Sequence, residues 1–299
     1  MKHKLSIITI NRNNAAGLRK TMESVFSQTY KDFEYIIVDG ASTDGSLDVI
    51  KEYESVHSLN VHSFNFTWLS EPDNGVYQAM NHGIEIVLGR RIVNEDHTTF
   101  SNSLNANRST LNESLSDYIL FLNSGDFLVA PDVIERVMSQ CNGADILCAR
   151  CNVSDSGKVV WTSNPPDQMT FGALYTTGLA HQSTFIKRAL FETCGLYRED
   201  FKYNSDIAFW YKAIIDHHAT TQRIDVVTTD YNLDGISSKE NKDPRFMAEH
   251  TEILAPYAMF VPDYEAMKKR ERENAPLYWI RKHKCIYKPL LWLYRLRSK

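Results

Sequence analysis

The sequence predicts an α/β fold in which a mixed, mainly parallel sheet is flanked by helices and followed by a helical C-terminal extension. Three observations predict it. Residues 118–122 (YILFL) form an apolar run rich in aromatic and branched side chains, stopping abruptly at Asn123, Ser124, Gly125 and Asp126. Such a run reads as a strand buried on both faces, which belongs to a parallel sheet covered by helices. Apolar runs of this kind also alternate with helical periodicities through the first 128 residues, as in βαβ units. Finally, several runs end in polar residues, and in open α/β sheets the ligand crevice lies beyond the carboxyl ends of the strands.

The elements follow in order. Residues 5–10 (LSIITI) read as the first strand, ending at Asn11, Arg12, Asn13 and Asn14. Residues 15–28 space Leu18, Met22, Val25 and Phe26 at helical intervals. A second apolar run, 35–38, ends in Asp39-Gly40, and residues 42–46 (STDGS) then supply capping chemistry for a helix through Tyr53. Residues 67–70 form a third strand, and 75–88 a helix with Tyr77, Met80, Ile84 and Val87 on one face. Residues 89–116, rich in Asn, Ser, Thr and Arg, read as an inserted loop. Beyond Asp126 the pattern predicts a helix at 131–139 and strands at 146–149 and 159–162. A strand at 184–186, helices at 187–194 and 206–215, and a last strand at 224–228 follow. The expected division is 1–239 for the α/β domain and 240–299 for the helical segment.

Composition narrows the partners. The chain has 299 residues, 43% hydrophobic and 23% charged, which suits a globular protein with a substantial core. A net charge of −4 argues against nucleic acid. Residues 276–299 nevertheless hold Arg281, Lys282, Lys284, Lys288, Arg295, Arg297 and Lys299 and no acid, so an acidic body carries a basic tail. The five cysteines are odd in number and sparse, which fits a reducing compartment. Cys148 and Cys151 have CxxC spacing, but they fall in a strand-like run that would point them to opposite faces, so they read as core residues. No cleavable signal segment and no run of about 18–20 apolar residues is present, and a cytoplasmic location is expected.

The strand ends carry the chemistry. Asn11, Asp39 and residues 123–126 would meet at one crevice, an arrangement that suits a nucleotide. A diphosphate needs positive charge, yet neither GxGxxG nor GxxxxGK[ST] occurs, and the first strand is followed by NRNNAAG. The remaining route is a divalent cation on oxygen ligands, for which Asp126 and Asn123 are suitable. Residues 70–84 (SEPDNGVYQAMNHGI) add Glu71, Asp73 and Asn74 before a helix, where Asp73 or Asn74 also suits a helix cap.

The strings SIITINRN, YIIVDGASTDGS, SEPDNGVYQAMNHGI and YILFLNSGD, in this order, resemble bacterial family 2 glycosyltransferases of the GT-A fold. Within that family they are similar to enzymes of capsule, O-antigen and colanic-acid-type exopolysaccharide assembly. The resemblance covers residues 4–88 and 117–240. It implies inverting transfer of a sugar from a nucleoside diphosphate sugar, UDP ahead of GDP, to a hydroxyl of a saccharide or lipid-linked acceptor. It further implies that Thr9 and Asn11 line the nucleoside pocket, that Asp39 binds the base and that Asp73 lies near base or ribose. Residues 123–126 occupy the place of the DxD-type metal motif, with Asn123 where the first acid is expected. Asp126 is then the main protein ligand of Mg²⁺ or Mn²⁺, with diphosphate oxygens and water completing the shell.

An inverting displacement also needs a general base on the acceptor hydroxyl. Asp206, in YNSD at a helix start, matches the position of the family's catalytic acid; its alternative is a first-turn acid on the helix dipole. His181 in GLAHQSTFIKR is a candidate contact for the diphosphate or metal. Residues 234–238 (DGISS) resemble a loop that closes over the donor. In the tail, Tyr278, Trp279, Tyr287, Trp292 and Tyr294 interleave with basic residues, which suits the headgroup region of an anionic membrane. Peripheral contact with the inner face of the cell membrane is therefore the companion expectation, against a terminal helix packed on the domain or a dimer partner. Pro289 is expected to divide the tail into two short helices. Two other functions compete. A sugar-nucleotide pyrophosphorylase should carry a glycine-rich basic N-terminal loop, which is missing. A non-catalytic nucleotide-sugar-binding module fits Asn123 but not the pairing of Asp126 with Asp206.

Overall fold

The computed structural model describes residues 4–59, 64–94, 97, 99–101, 116–155, 157–232 and 243–297. The chain divides into two compact units, Met1–His250 and Thr251–Lys299.

In the first unit β1 (Leu5–Asn11) leads to α1 (Ala15–Phe26), β2 (Phe33–Asp39) to α2 (Ser46–Leu59), and β3 (Asn65–Ser70) to α3 (Val76–Val87). A hairpin of β4 (Arg91–Val93) and β5 (Thr99–Ser101) follows, where the polar composition had suggested only a loop. Residues 102–115 of that insertion lie outside the described residues. Next come β6 (Tyr118–Phe121), β7 (Phe127–Leu128), α4 (Val133–Gln140), β8 (Ile146–Asp155) and β9 (Lys158–Thr162). The unit continues through α5 (Phe171–Thr177), β10 (Thr184–Lys187), α6 (Arg188–Thr193), α7 (Ser205–Trp210), β11 (Thr221–Asn232) and α8 (Pro244–Leu254), the last crossing into the second unit.

Among the described residues nine strands share one sheet, ordered β3-β2-β1-β6-β10-β8-β11-β7, with β9 paired on β8. β1 runs parallel to β2 and β6, β2 to β3, and β8 to β11. β7 beside β11 and β9 beside β8 run in the opposite sense, and so does β10 between β6 and β8, antiparallel to both. The two reversals cancel, so β8 and β11 point the same way as β1, β2, β3 and β6. The carboxyl ends of all six strands therefore line one edge.

Burial on both faces explains the apolar runs. Every residue of β1 and β6 is buried. On one side α1 contributes Leu18, Met22 and Val25 and α4 contributes Val133, Ile134 and Val137 to a single core. Each such side chain contributes about 1.5–3 kcal/mol by leaving water. α3 buries Tyr77, Met80, Ile84 and Val87 as its periodicity predicted. It also buries Gly83, where a Cβ would lie 2.6 Å from the Ile8 side chain, so glycine permits the close approach of helix to strand. Cys148 and Cys151 are buried free thiols within β8, in keeping with the core reading.

In the second unit α9 (Phe260–Lys282) and α10 (Lys284–Arg297) follow α8. The expected break at Pro289 falls instead at His283, which leaves the helical region at φ −98° and ψ 88°. His283 closes one helix through its N–H to Ile280 O (3.1 Å) and opens the next by accepting from Ile286 N (2.9 Å) and Tyr287 N (3.0 Å). Pro276 and Pro289 both sit inside helices, each forgoing one backbone hydrogen bond. None of the side chains of α9 is buried. Among the described residues no helix is long and apolar enough to cross a membrane.

Candidate active site

Strand register assembles the first cluster. β1 and β2 align Asn11 with Asp39, and β2 and β3 align Asp39 with Ser70. Asp39 Oδ1 accepts from Asn11 Nδ2 (2.8 Å) and Ser42 Oγ (2.6 Å), while Oδ2 accepts from Ser42 N (2.9 Å) and Ser70 Oγ (2.8 Å). Four donors thus satisfy a fully buried carboxylate, as burial of a charge requires. The turn that brings Ser42 back needs Ala41 at φ 55°, an uncommon backbone state for a residue with a side chain. A base could claim an Asp39 oxygen by turning away one of the two serine hydroxyls, which rotate freely. Asn11 Oδ1 beside it is buried without a partner among the described residues, an acceptor that a nucleoside donor would satisfy.

Asp73 closes over the same place. A Cβ on Gly40 would meet Asp73 Oδ2 at 2.3 Å, so only glycine admits this carboxylate at the end of β2. Asp73 Oδ1 accepts from Gly75 N (2.9 Å) and faces Arg12 Nη1 at 3.6 Å. Gly75 itself, at φ 136°, is the N-cap of α3, which corrects the expectation that Asp73 or Asn74 caps it. Thr9 also departs from expectation. Its hydroxyl lies inside the sheet, 2.8 Å from Leu122 O and 3.0 Å from Tyr35 OH, which makes it a brace between β1, β2 and the strand at 118–121 rather than a pocket lining.

The turn after β6 is gripped by α1. Asn14 caps α1 through Gly17 N (3.1 Å) and donates from Nδ2 to Ser124 O (3.0 Å). Thr21 Oγ1 accepts from Gly125 N (3.0 Å) and donates to Asp126 O (2.6 Å). These bonds fix the Asp126 backbone, yet no hydrogen bond from the described residues reaches its carboxylate. Burial pushes that carboxyl up to about 7; His181 and Lys20 pull it down and Asp230 adds to the rise. A buried, uncompensated carboxylate fits a cation. No group of three His, Cys, Asp or Glu side chains among the described residues could hold a metal by itself. A cation at Asp126 would share its remaining positions with ligand oxygens and water.

Asp206 lies in the first turn of α7. Its Oδ1 accepts from Ile207 N (2.9 Å) and from Tyr77 OH (3.0 Å), whose single proton is shared with Tyr203 O (2.6 Å), whereas Oδ2 has one longer contact, His181 Nδ1 at 3.3 Å. His181 Nε2 lies 3.2 Å from Asn123 Nδ2, and Asn123 Oδ1 is buried without a partner among the described residues. Burial opposes the imidazolium, but the hydrogen bond and charge of Asp206 and the charge of Asp126 prevail, so the His181 pKa is raised. With both ring nitrogens protonated, a turned Asn123 amide would accept from Nε2 through its orphaned oxygen. Asn123, His181, Asp206 and Tyr77 thus form one polar chain from the turn after β6 to the start of α7.

The structure brings together Asn11, Asp39 and Asp73 in one cluster and Asn123, Asp126, His181 and Asp206 in a second, both at the carboxyl edge of the sheet. Residues 234–238 lie outside the described residues. Sequence reasoning missed Tyr77, which the periodicity assigned wholly to an apolar face although its hydroxyl needs a partner when buried. It also missed Asp230, towards the carboxyl end of β11, which accepts from Ser154 Oγ (2.9 Å) and adds to the raised pKa of Asp126.

The sheet, with acidic strand ends along its carboxyl edge, has the architecture of the GT-A fold. The model of glycosyl transferase family 2 matches residues 6–97 of this chain. A PGL/p-HBAD biosynthesis glycosyltransferase of Mycobacterium tuberculosis is 26% identical over 252 residues, covering 81% of this chain and 82% of the relative. The S. aureus TarS 1–349 structure in complex with UDP-GlcNAc superposes with a TM-score of 0.53 at 16% identity. That match covers 77% of this chain but only 58% of the TarS chain. The mannosyltransferase PcManGT from Pyrobaculum calidifontis, in complex with GDP-Man and Mn²⁺, gives 0.52 at 14% identity over 100% of this chain and 85% of its own. At these identities the structural likeness concerns the fold.

Proposed function

We propose that the enzyme transfers a sugar, with inversion, from a nucleoside diphosphate sugar to a hydroxyl of a saccharide or lipid-linked acceptor in surface polysaccharide synthesis. The observation that carries this reading is the convergence of Asp39 and Asp73 with Asp126, His181 and Asp206 at one sheet edge. Asn11, Asp39 and Asp73 hold the nucleoside, and UDP is the favoured carrier. Asp126 is the protein ligand of a divalent cation, which when bound supplies charge that stabilises the departing diphosphate. His181 adds positive charge beside it. Asp206 takes the proton from the acceptor hydroxyl as that oxygen bonds to the anomeric carbon and the carbon–phosphate oxygen bond breaks. Its Oδ2 suits the task, since Oδ1 is occupied by two donors and Oδ2 by one long contact. The test is incubation with UDP-glucose, UDP-N-acetylglucosamine, UDP-galactose and GDP-mannose, MnCl₂ and aryl glycoside acceptors. An α-linked donor should give a β-linked product by proton NMR; an α-linked product contradicts inversion.

The helical tail suits an anionic membrane surface. Trp279 and Trp292 are exposed in α9 and α10 amid basic residues, and each basic residue near such a surface contributes about 1 kcal/mol. The full chain should sediment with phosphatidylglycerol vesicles at low salt, and a chain ending at Asn274 should not. Equal sedimentation of the two contradicts the membrane role.

A further inference from the structure

The segment that delivers Asp206 is held from behind by a carboxylate that the proposed reaction does not use. Glu249, on α8, has a side chain only 6% exposed. Its Oε1 accepts from Lys202 N (2.6 Å), and its Oε2 accepts from Tyr203 N (3.0 Å) and Asn204 N (3.1 Å). Three consecutive backbone N–H groups converging on one anion form a nest. Arg245, one turn earlier, compensates the charge at 3.1 Å. The same stretch adds Arg245 Nη2 to Asp200 O (2.6 Å), Asn204 Nδ2 to Phe246 O (2.9 Å) and Tyr203 OH to Asp243 Oδ2 (2.7 Å).

From the opposite side α3 holds the same segment. Asn81 donates to Tyr197 O (2.9 Å) and accepts from Tyr197 N (2.9 Å), and Tyr77 OH donates to Tyr203 O (2.6 Å). The chain from Tyr197 to Asn204 is thus suspended between α3 and α8, and Asp206 begins α7 directly beyond it. Tyr197 and Tyr203 also pack their rings here, Tyr197 on Tyr77, Phe121 and Phe209 and Tyr203 on Phe246, but the bonds to the backbone are directional and set position rather than bulk stability.

We propose that Glu249 is a positioning residue for glycosyl transfer: by gathering the amides of Lys202, Tyr203 and Asn204 it fixes the carboxylate of Asp206 where it meets the acceptor hydroxyl. The proposal rests on Asp206 being the general base. Glu249→Gln separates the roles, because an amide has one acceptor oxygen and cannot receive from both Lys202 and the Tyr203–Asn204 pair. Loss of one anchor displaces the segment, and a misplacement of about 1 Å at a reacting group costs about 10²-fold in rate. In nucleoside diphosphate release from the fastest donor of the panel with MnCl₂, kcat should fall by that factor while the donor KM stays unchanged.

The decisive comparison is a double-mutant cycle with Asp206→Asn. Glu249→Gln should add no further loss in the Asp206→Asn background, and hydrogen exchange should quicken at residues 202–204 while β1 and β6 stay protected. A wild-type kcat for Glu249→Gln, an equal loss in both backgrounds, or unaltered exchange at 202–204 overturns the proposal. Undiminished transfer by Asp206→Asn alone shows instead that the base assignment has failed, and the positioning role falls with it.

Discussion

Asp206→Asn is expected to reduce transfer by about 10²–10⁴-fold, the usual contribution of a general base, while leaving nucleotide binding intact. The amide keeps the shape of the carboxylate, so Tyr77 OH and Ile207 N retain an oxygen to donate to. What disappears is the basic oxygen facing His181. Because Asp39 and Asp73 belong to a different part of the sheet edge, the donor KM should be unaffected. Initial rates at saturating donor separate the two quantities. A variant with wild-type kcat removes Asp206 from the mechanism, and one with only a raised KM makes it a binding residue.

Asp126→Asn should act through the donor instead. The carboxyl is buried, lacks a donor among the described residues, and is held up near 7 by burial. Without a cation it therefore weakens the fold, and its amide replacement should be at least as stable as the parent when no nucleotide is present. That gain in stability at the expense of function is typical of a site that stores an unfavourable group for its ligand. Metal stabilisation of a leaving group is worth several kcal/mol, which at 1.36 kcal/mol per decade corresponds to about 10²–10³-fold in kcat/KM. Steady-state kinetics with MnCl₂ check the loss, and thermal unfolding without ligand checks the gain.

Much of the fold was legible because the strands of the sheet centre are buried on both faces. Such strands must be continuous apolar runs, and β1, β2 and β6 could not be mistaken. The polar ends of those runs marked Asn11, Asp39 and Asp126 for the same reason: chemistry starts where burial stops. The reversed sense of β10 was not legible, since hydrophobicity carries no direction, and only that reversal sends β8 and β11 to the site edge. Thr9, which only the resemblance placed in the nucleoside pocket, is drawn inward by hydrogen bonds to Leu122 O and Tyr35 OH. Tyr77, Asp230 and Glu249 were hidden by distance. Their partners lie 126, 76 and 47 residues away in sequence, beyond any local pattern. At the tail the proline rule failed, because exposed helices tolerate the loss of one backbone bond and the turn was placed by His283 instead.

The central claim is that Asp126 makes nucleotide binding depend on a divalent cation. Thermal unfolding of the full chain with UDP or GDP, with and without MnCl₂, tests it most directly. A ligand at 100 times its Kd stabilises by about 2.7 kcal/mol, and each kcal/mol moves the midpoint by about 2–4 °C for a unit of this size. One nucleotide should raise the midpoint by several degrees only with Mn²⁺, and Asp126→Asn should abolish the rise. Equal stabilisation with and without the metal, or a rise that survives in Asp126→Asn, would contradict the account.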